Sequence, residues 1–164
     1  MSITIDNKLR AFLDLIAFSE GTSTSSITKN NGYDVIVSGI HGPSIFTDYS
    51  DHPFAHGGTV TVRTNPLLVS TAAGRYQVLA HYFEVYKTQL HLPDFSPTSQ
   101  DAVAIKQISE CNSIHLIEQG NVSSALMACS RIWASFPGND YNQPGGKSLA
   151  TLVSQYQTFI GKDN

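Results

Sequence analysis

Apolar residues recur at helical spacing near the N-terminus and again over the second half of the chain. Residues 7–20 are predicted to form a helix with three apolar residues on one face, at spacings of four and three: Leu9, Leu13 and Ile16. Asp6 can cap the start of this helix, and Gly21 can end it in a left-handed conformation. The same spacing places Glu20 on the apolar face, where another core residue is expected.

Alternating, β-branched segments predict strands in the first third of the chain. The candidates are YDVIVSG at 33–39, SIFTDYS at 44–50 and TVTVRT at 59–64. A stretch rich in turn-forming residues, DHPFAHGG, separates the last two. We expect these strands to form one small, turn-rich sheet.

Five later segments have the periodicity of amphipathic helices. They run from Ser70 or Thr71 through Leu90, from Pro97 after a Ser96 cap to about Glu110, and over 113–119, 122–133 and 149–160. Because helices dominate and no linker or repeat interrupts them, residues 1–164 are expected to form a single α+β domain.

Composition excludes several classes of function. A chain of 164 residues with 41% hydrophobic content can bury a core, and a net charge of −3 gives no sign of nucleic-acid binding. We expect neither a signal peptide nor a stable membrane association, since no apolar run is long enough to span a bilayer. Cys111 and Cys129 lack zinc-site spacing; Cys129 lies on an apolar stripe and is expected to be a buried thiol, while pairing of the two stays open.

The common cofactor and metal motifs are absent from the sequence. There is no GxGxxG or Walker loop, no HExxH, no CxxC and no GxSxG. His52 and His56 are four residues apart, but they lie in a segment rich in Pro and Gly, so solvated loop histidines are favoured over a metal site. We therefore expect no cofactor and no metal.

Glu20 has two interpretations on position alone. It is either a surface glutamate at a frayed helix end or a general acid kept partly out of water. Desolvation disfavours the carboxylate, so in the second case its pKa rises and it can hold a proton for a leaving group at neutral pH.

The segment STAAGRYQ, residues 70–77, combines small residues with an aromatic and an amide at a predicted helix start. Small residues permit close approach of a ligand to the backbone, and Tyr76 and Gln77 could stack on a sugar and hydrogen-bond to it. The alternative is a tightly packed helix N-terminus.

Six motifs in this order resemble the phage lambda endolysin family, the lambda-type lytic transglycosylases: AFLDLIAFSEGT, GYDVIVSG, FTDYSDHP, STAAGRYQ, FSPTSQDAVA and IWASFPG. The resemblance extends from about residue 11 to residue 141. It implies a lysozyme-like catalytic domain, mostly helical, with a small β-sheet lobe and a cleft between the lobes. It also implies cleavage of the MurNAc-β-1,4-GlcNAc bond of peptidoglycan without water, which leaves 1,6-anhydro-MurNAc ends.

The resemblance also implies roles for individual residues. The catalytic glutamate of the SEGT motif is Glu20 here, acting first as acid and then as base. Tyr76 and Gln77 are similar to residues that hold the sugar, and Trp133 is similar to an aromatic on the cleft floor, although its helical spacing also suits the core. Asp34 is the best second carboxylate, but its neighbours in GYDVIV suggest a strand-end or loop role near the cleft.

Two alternatives to a transglycosylase remain open. One is a hydrolytic muramidase with Glu20 as acid and Asp34 or Asp48 as its partner. The other is a non-catalytic peptidoglycan-binding module or prophage remnant. On the transglycosylase interpretation the partners are peptidoglycan strands and a holin. The protein is then expected to be a monomer that waits in the host cytoplasm until the membrane is permeabilised and afterwards acts in the periplasm.

Overall fold

A computed structural model, which describes residues 5–138 and 146–162, gives six α-helices and four β-strands within those ranges. In chain order they are α1 Asn7–Glu20, β1 Val35–Gly39, β2 Gly42–Ile45, β3 Val60–Thr64, β4 Leu67–Ser70, α2 Ala80–Leu90, α3 Pro97–Glu110, α4 Ile114–Glu118, α5 Val122–Cys129 and α6 Leu149–Lys162. The chain divides into two compact units, Met1–Glu20 with Ala104–Asn164, and Gly21–Val103. The first unit is helical, and the second contains all four strands.

Helix α1 has the predicted bounds and the predicted caps. The Leu9 N–H donates to Asp6 Oδ1 at 2.8 Å, which satisfies one of the unpaired donors of the first turn. Gly21 ends the helix with φ +77°, a conformation that most other residues avoid. The start and end of the helix are therefore encoded locally.

The core of the first unit forms around α1. This helix packs against α4 and α6, and Tyr156 Oη donates to the Lys8 carbonyl at 3.3 Å. The largest buried side chains of this core include Phe12, Leu13, Ile16, Ile117, Leu126, Trp133, Phe136 and Leu152.

Within the described ranges, no helix is both long enough and apolar enough to cross a membrane.

Helix α5 is shorter than predicted. It ends at Cys129 rather than continuing to residue 133. Ser130 N–H and Ile132 N–H turn back by three residues to the carbonyls of Met127 and Cys129, and the Ser130 hydroxyl donates to Met127 O at 2.7 Å. The prediction that Cys129 is a buried thiol is confirmed, and Cys111 is likewise buried and free of a disulfide.

The strands of the second unit form two hairpins, not the single sheet that was predicted. β1 pairs antiparallel with β2, and β3 pairs antiparallel with β4. The SIFTDYS prediction is wrong beyond Ile45, since Phe46 turns into the core of this unit. Strand β4 was missed because four residues after a proline are too few to show alternation.

The predicted helix start at Ser70 or Thr71 is also wrong. Helix α2 begins only at Ala80, and the preceding residues form a tight turn in which Ala73 and Val78 exchange two backbone hydrogen bonds of 3.1 Å. Gly74 and Gln77 have φ of +79° and +52°, which an α-helix cannot accommodate.

His52 lies in the core of the second unit, so the prediction that it is a solvated loop residue is wrong; His56 is exposed, as predicted. The His52 ring lies 4.7 Å from that of Phe95, and its Nε2 is 3.0 Å from the Val78 carbonyl. Its Nδ1 accepts a hydrogen bond from Phe54 N–H, which assigns the single ring proton to Nε2. Within the described residues, no group of three or more His, Cys, Asp or Glu side chains could hold a metal ion.

We predict that acidification destabilises the protein through His52. Burial lowers the pKa of His52 below its ordinary value of 6.5, more than the Val78 carbonyl and the charge of Asp51 raise it. Below about pH 6.5 His52 binds a proton in the unfolded chain more readily than in the folded chain, so the free energy of unfolding falls. Chemical denaturation as a function of pH should show this slope, and His52→Gln should reduce it. The exposed His115→Gln is the control; an equal effect of both variants would contradict the assignment.

Candidate active site

Glu20 is the last residue of α1 and continues the buried face of that helix. Leu13 and Ile16 on this face are fully buried, and Glu20 is half-buried. The hydroxyl of Ser135 donates to Glu20 Oε1 at 2.6 Å, and the hydroxyl of Ser19 donates to Ser135 Oγ at 2.9 Å. The carboxyl group therefore sits at the end of a short chain of hydroxyls.

Three influences act on the proton affinity of Glu20. Burial raises its pKa and is the largest of them, while the Ser135 hydrogen bond and the positive charge of Lys147 lower it. The balance leaves the pKa above the ordinary value of 4.5. Glu20 thus retains its proton to a higher pH than an exposed glutamate does, which favours the desolvated acid over the frayed surface residue.

The side chain of Lys147 lies against the C-terminal end of α1, next to Glu20. Its Nζ lies 3.4 Å from the Ser19 carbonyl and 4.8 Å from the centre of the Phe18 ring. A carbonyl at the C-terminal end of a helix is a favourable partner for a cation, because the helix dipole is negative there. The ammonium group is thereby held near Glu20.

Asp34, in the second unit, is buried and fully engaged by its own loop. Its Oδ1 accepts from Thr28 Oγ1 at 2.5 Å, and its Oδ2 accepts from Lys29 N–H at 2.8 Å. Both oxygens thus fix the loop that leads into β1. This geometry favours a structural role over that of a second catalytic carboxylate.

Tyr76 belongs to a buried polar cluster that sequence reasoning did not find. Tyr76 Oη and Tyr33 Oη donate to the same oxygen, Asp101 Oδ1, at 2.6 and 2.8 Å. Burial, with the charge of Asp101, raises the pKa of Tyr76 well above its ordinary value, so it stays a donor. Since Tyr76 is only 4% exposed, its position favours support of the turn over direct contact with a sugar.

Gln100 and Arg75 hold the turn between Ala73 and Val78 in place. Gln100 Oε1 accepts from Arg75 N–H at 2.9 Å, and its Nε2 donates to the carbonyls of Tyr33 and Phe95 at 3.0 and 2.9 Å. The buried guanidinium of Arg75 lies 5.1 Å above the Tyr33 ring and donates to the Asn31 carbonyl. A buried network of this kind keeps the turn rigid.

Gln77 is the half-exposed residue at the end of this turn. Its Nε2 donates to the Gly74 carbonyl at 3.0 Å and to the Val35 carbonyl at 3.3 Å. The side chain is thereby fixed with its amide nitrogen toward the protein. Among the predicted sugar-binding residues, its exposure suits contact with a ligand best.

The other predicted site residues are distributed between the two units. Trp133, in the first unit, is 2% exposed and packs 6.0 Å from Phe136, which favours the core alternative. Asp48, in the second, is exposed, and hydrogen bonds from Ser50 hold its pKa below the ordinary value. Glu20 and Trp133 thus lie in one unit, and Asp34, Tyr76 and Gln77 lie in the other.

An α+β chain of this topology, with a half-buried glutamate ending its first helix, defines a protein of the lysozyme class. Bacteriophage lambda lysozyme, solved in complex with a chitohexasaccharide, matches with a TM-score of 0.87 and 45% identity over 96% of this chain and 97% of that one. A second structure of lysozyme from bacteriophage lambda matches with a TM-score of 0.83 and 43% identity over the same shares of the two chains. The predicted lysozyme-like fold is confirmed.

Sequence comparison identifies the family. The model of the family described as Endolysin matches residues 10–163. The endolysins of Escherichia phage P2 and Escherichia phage lambda are each 49% identical over 160 residues, which are 97% of this chain and 96% and 95% of theirs. The chain belongs to the endolysin family, as the six motifs predicted.

Proposed function

We propose that this endolysin, a cell-wall-degrading enzyme, is a lytic transglycosylase. It cleaves the MurNAc-β-1,4-GlcNAc bond of peptidoglycan and leaves 1,6-anhydro-MurNAc ends. The observation that carries the proposal is the environment of Glu20, a half-buried carboxyl group whose pKa is raised by burial. A carboxyl group whose pKa is raised by burial holds its proton to a higher pH than an ordinary glutamate does, and such a group suits the acid that glycosidic bond cleavage requires.

Glu20 serves in both halves of the reaction. As the acid it gives its proton to the glycosidic oxygen, and the bond from that oxygen to the anomeric carbon of MurNAc breaks. The N-acetyl oxygen of MurNAc stabilises the positive anomeric carbon as an oxazolinium-like species. The C6 hydroxyl oxygen then attacks the anomeric carbon, and the Glu20 carboxylate takes the proton of that hydroxyl. Glu20 ends protonated, and no water is consumed.

The surroundings of the other carboxylates support a single-carboxylate mechanism. A hydrolytic muramidase needs a nucleophile or a base beside its acid. Both oxygens of Asp34 accept hydrogen bonds from its own loop, and Asp48 is exposed with a lowered pKa. The engaged oxygens of Asp34 do not suit a residue that must activate water or attack a sugar. The part of Asp48, which its lowered pKa keeps ionised, is tested by Asp48→Asn.

Glycan strands are the proposed substrate. The related lambda lysozyme was solved with a chitohexasaccharide, and the likeness supports a similar ligand for this chain. We assign direct contact with the sugar to Gln77, since it is half-exposed and its side chain is fixed. Tyr76 and Asp34 are buried in the second unit, where they support the turn before α2 and the loop before β1, and Trp133 is buried in the first unit, where it supports the turn that carries Ser135. A non-catalytic module is disfavoured, because burial of the Glu20 carboxyl group costs free energy and binding alone does not require it.

Replacing Asp34 by asparagine tests the number of carboxylates. We expect less than about a tenfold loss of kcat, because Asp34 has a structural role. The amide oxygen of asparagine can still accept the hydrogen bond of Thr28, but its NH2 group is a donor that faces the Lys29 N–H, another donor. Stability should fall by about 1.5–3 kcal/mol, the usual range for a lost hydrogen bond to a charged group. Steady-state kinetics on purified glycan strands and denaturation measure the two effects in Asp34→Asn and in Asp48→Asn, with the exposed Glu118→Gln as the control. A loss of kcat of a hundredfold or more in a folded variant would favour the muramidase.

Release from the cytoplasm is the remaining part of the proposal. We infer that the protein folds as a single catalytic domain, remains a monomer in the host cytoplasm, and reaches the periplasm and cell wall when a holin permeabilises the inner membrane. Expression of the chain alone in a Gram-negative host is therefore expected to be tolerated, and chloroform should then cause abrupt lysis. Spontaneous lysis accompanied by a shortened N-terminus would contradict this route.

A further inference from the structure

The hydroxyl chain beside Glu20 runs from Ser19 through Ser135 to the carboxyl group, and Ser19 Oγ also lies 3.3 Å from the Ser135 carbonyl, a second acceptor for its proton. Ser19 Oγ donates to Ser135 Oγ at 2.9 Å, and Ser135 Oγ donates to Glu20 Oε1 at 2.6 Å. A hydroxyl has one proton to give, so the proton that Ser135 gives to Glu20 is not available elsewhere. Ser19 occupies an acceptor position of Ser135 and thereby helps to keep that proton directed at the carboxyl group.

Ser135 is held where this bond requires it. The residue lies in the turn that follows α5, where Phe136 N–H donates to the Trp133 carbonyl at 2.9 Å. The side chains of Trp133 and Phe136 are both 2% exposed, so they anchor the turn in the core of the first unit on either side of Ser135. Burial of Trp133 therefore has a consequence for Glu20 through the turn that carries Ser135.

We propose that Ser135 is the positioning residue of Glu20: its hydroxyl occupies Oε1, directs the transferable proton to Oε2, and stabilises the carboxylate that remains after proton transfer. This inference rests on the proposed function of Glu20. An oxygen that already accepts a short hydrogen bond is the poorer site for the proton, which leaves Oε2 as the acid. The same bond strengthens when Glu20 becomes negative, because a charged acceptor makes a hydrogen bond roughly twice as strong.

Lys147 acts on the same group in a different way. Among the described residues it is the charged group that lowers the pKa of Glu20, and it does so through its field. The effect of a half-buried ammonium is weakened by salt, whereas that of a direct hydrogen bond is not. The two contributions can therefore be separated by ionic strength.

The test combines two measurements on Ser135→Ala, Ser135→Thr and Lys147→Met, with the exposed Ser123→Ala as control. NMR titration of the Glu20 carboxyl in the free enzyme reports its pKa without any assumption about catalysis. The dependence of kcat and KM on pH, measured on purified glycan strands, reports the role in turnover.

Ser135→Ala is expected to raise the pKa of Glu20, because a hydrogen bond that favours the carboxylate is gone. The basic limb of the pH profile should move to higher pH by the same amount. At the optimum kcat should fall about tenfold or more, with KM within about twofold of wild type, as is typical for loss of a hydrogen bond to a charged group. Ser135→Thr keeps the hydroxyl and should restore most of this loss. Lys147→Met should also raise the pKa, but only at low salt.

Two results would overturn the role of Ser135. One is a Glu20 titration that is unchanged in Ser135→Ala while the variant is folded. The other is a changed titration with kcat and the pH profile as in wild type, which would leave Ser135 with no part in turnover. Failure of the proposed function is a separate outcome, since it is read from the activity of Glu20→Gln and not from any Ser135 variant.

Discussion

Glu20→Gln is expected to abolish cleavage of glycan strands while the fold and glycan binding remain. Glutamine has the shape of glutamate, so it can still accept the hydrogen bond of Ser135 at Oε1. It cannot give up a proton as an acid or take one back as a base. General acid–base catalysis is worth about two to four powers of ten in rate, and here one residue performs both transfers, so the loss should lie at or beyond the upper end.

The measurement for Glu20→Gln is kcat on purified glycan strands, with circular dichroism and glycan binding as checks on the fold. The matched control is Glu84→Gln, since Glu84 is an exposed glutamate on α2 in the second unit. Its kcat should equal that of wild type. If Glu20→Gln retained more than about one tenth of the wild-type kcat, Glu20 would not be the acid.

Gly74→Ala should cause the largest loss of stability among single-methyl changes in the turn before α2. The added Cβ would lie 2.3 Å from Gln100 Oε1 and 3.0 Å from Phe95 Cζ, with φ at +79°. Gln100 cannot move aside cheaply, because it is 2% exposed and holds three hydrogen bonds. The left-handed conformation costs about 1–2 kcal/mol and overpacking about 1–3 kcal/mol, so we expect a loss of about 2–5 kcal/mol.

Gly120→Ala separates the two causes. Gly120 has φ +76°, almost the value of Gly74, and an added Cβ would meet nothing within 4 Å. Only the conformational cost of about 1–2 kcal/mol should remain. Urea denaturation of both variants measures the difference. Equal losses of unfolding free energy in the two variants would show that contact of the added Cβ with Gln100 does not contribute to the cost at Gly74.

Local rules were sufficient for the elements that carry their own start and stop signals. The Asp6 cap, the Gly21 terminus and the spacing of Leu13 and Ile16 define α1 and single out Glu20 from the amino-acid sequence alone. A carboxylate at a core position of an apolar helix face breaks a local pattern, and such breaks are expected at functional residues.

Asp101 is a second carboxylate at a core position of a helix. It lies three residues before Ala104 and seven before Ile108, both fully buried, so helical spacing places it on the apolar face of α3. It was missed because its polar neighbours Ser99 and Gln100, which are also buried, hide the pattern. A search for polar residues at core positions, applied to every helix, would find both carboxylates.

The turn around Gly74 was beyond local rules. Small residues followed by Tyr76 suit a helix start equally well, and only contacts with residues distant in sequence decide against it. Gln100 reaches the Arg75 backbone across 25 residues, and Asp101 binds Tyr76 across the same separation. Gln77 is left-handed because this network and the bonds between Ala73 and Val78 require it, and no propensity of glutamine predicts that.

The central claim, that Glu20 acts alone and without water, is tested most directly by the mass of the products formed in heavy-oxygen water. Purified glycan strands are digested to completion, and the new ends are analysed by mass spectrometry. We expect MurNAc ends that are lighter than reducing ends by one water and carry no heavy oxygen, because the C6 hydroxyl closes the ring. Reducing MurNAc ends that contain one heavy oxygen would contradict it and identify a hydrolytic muramidase.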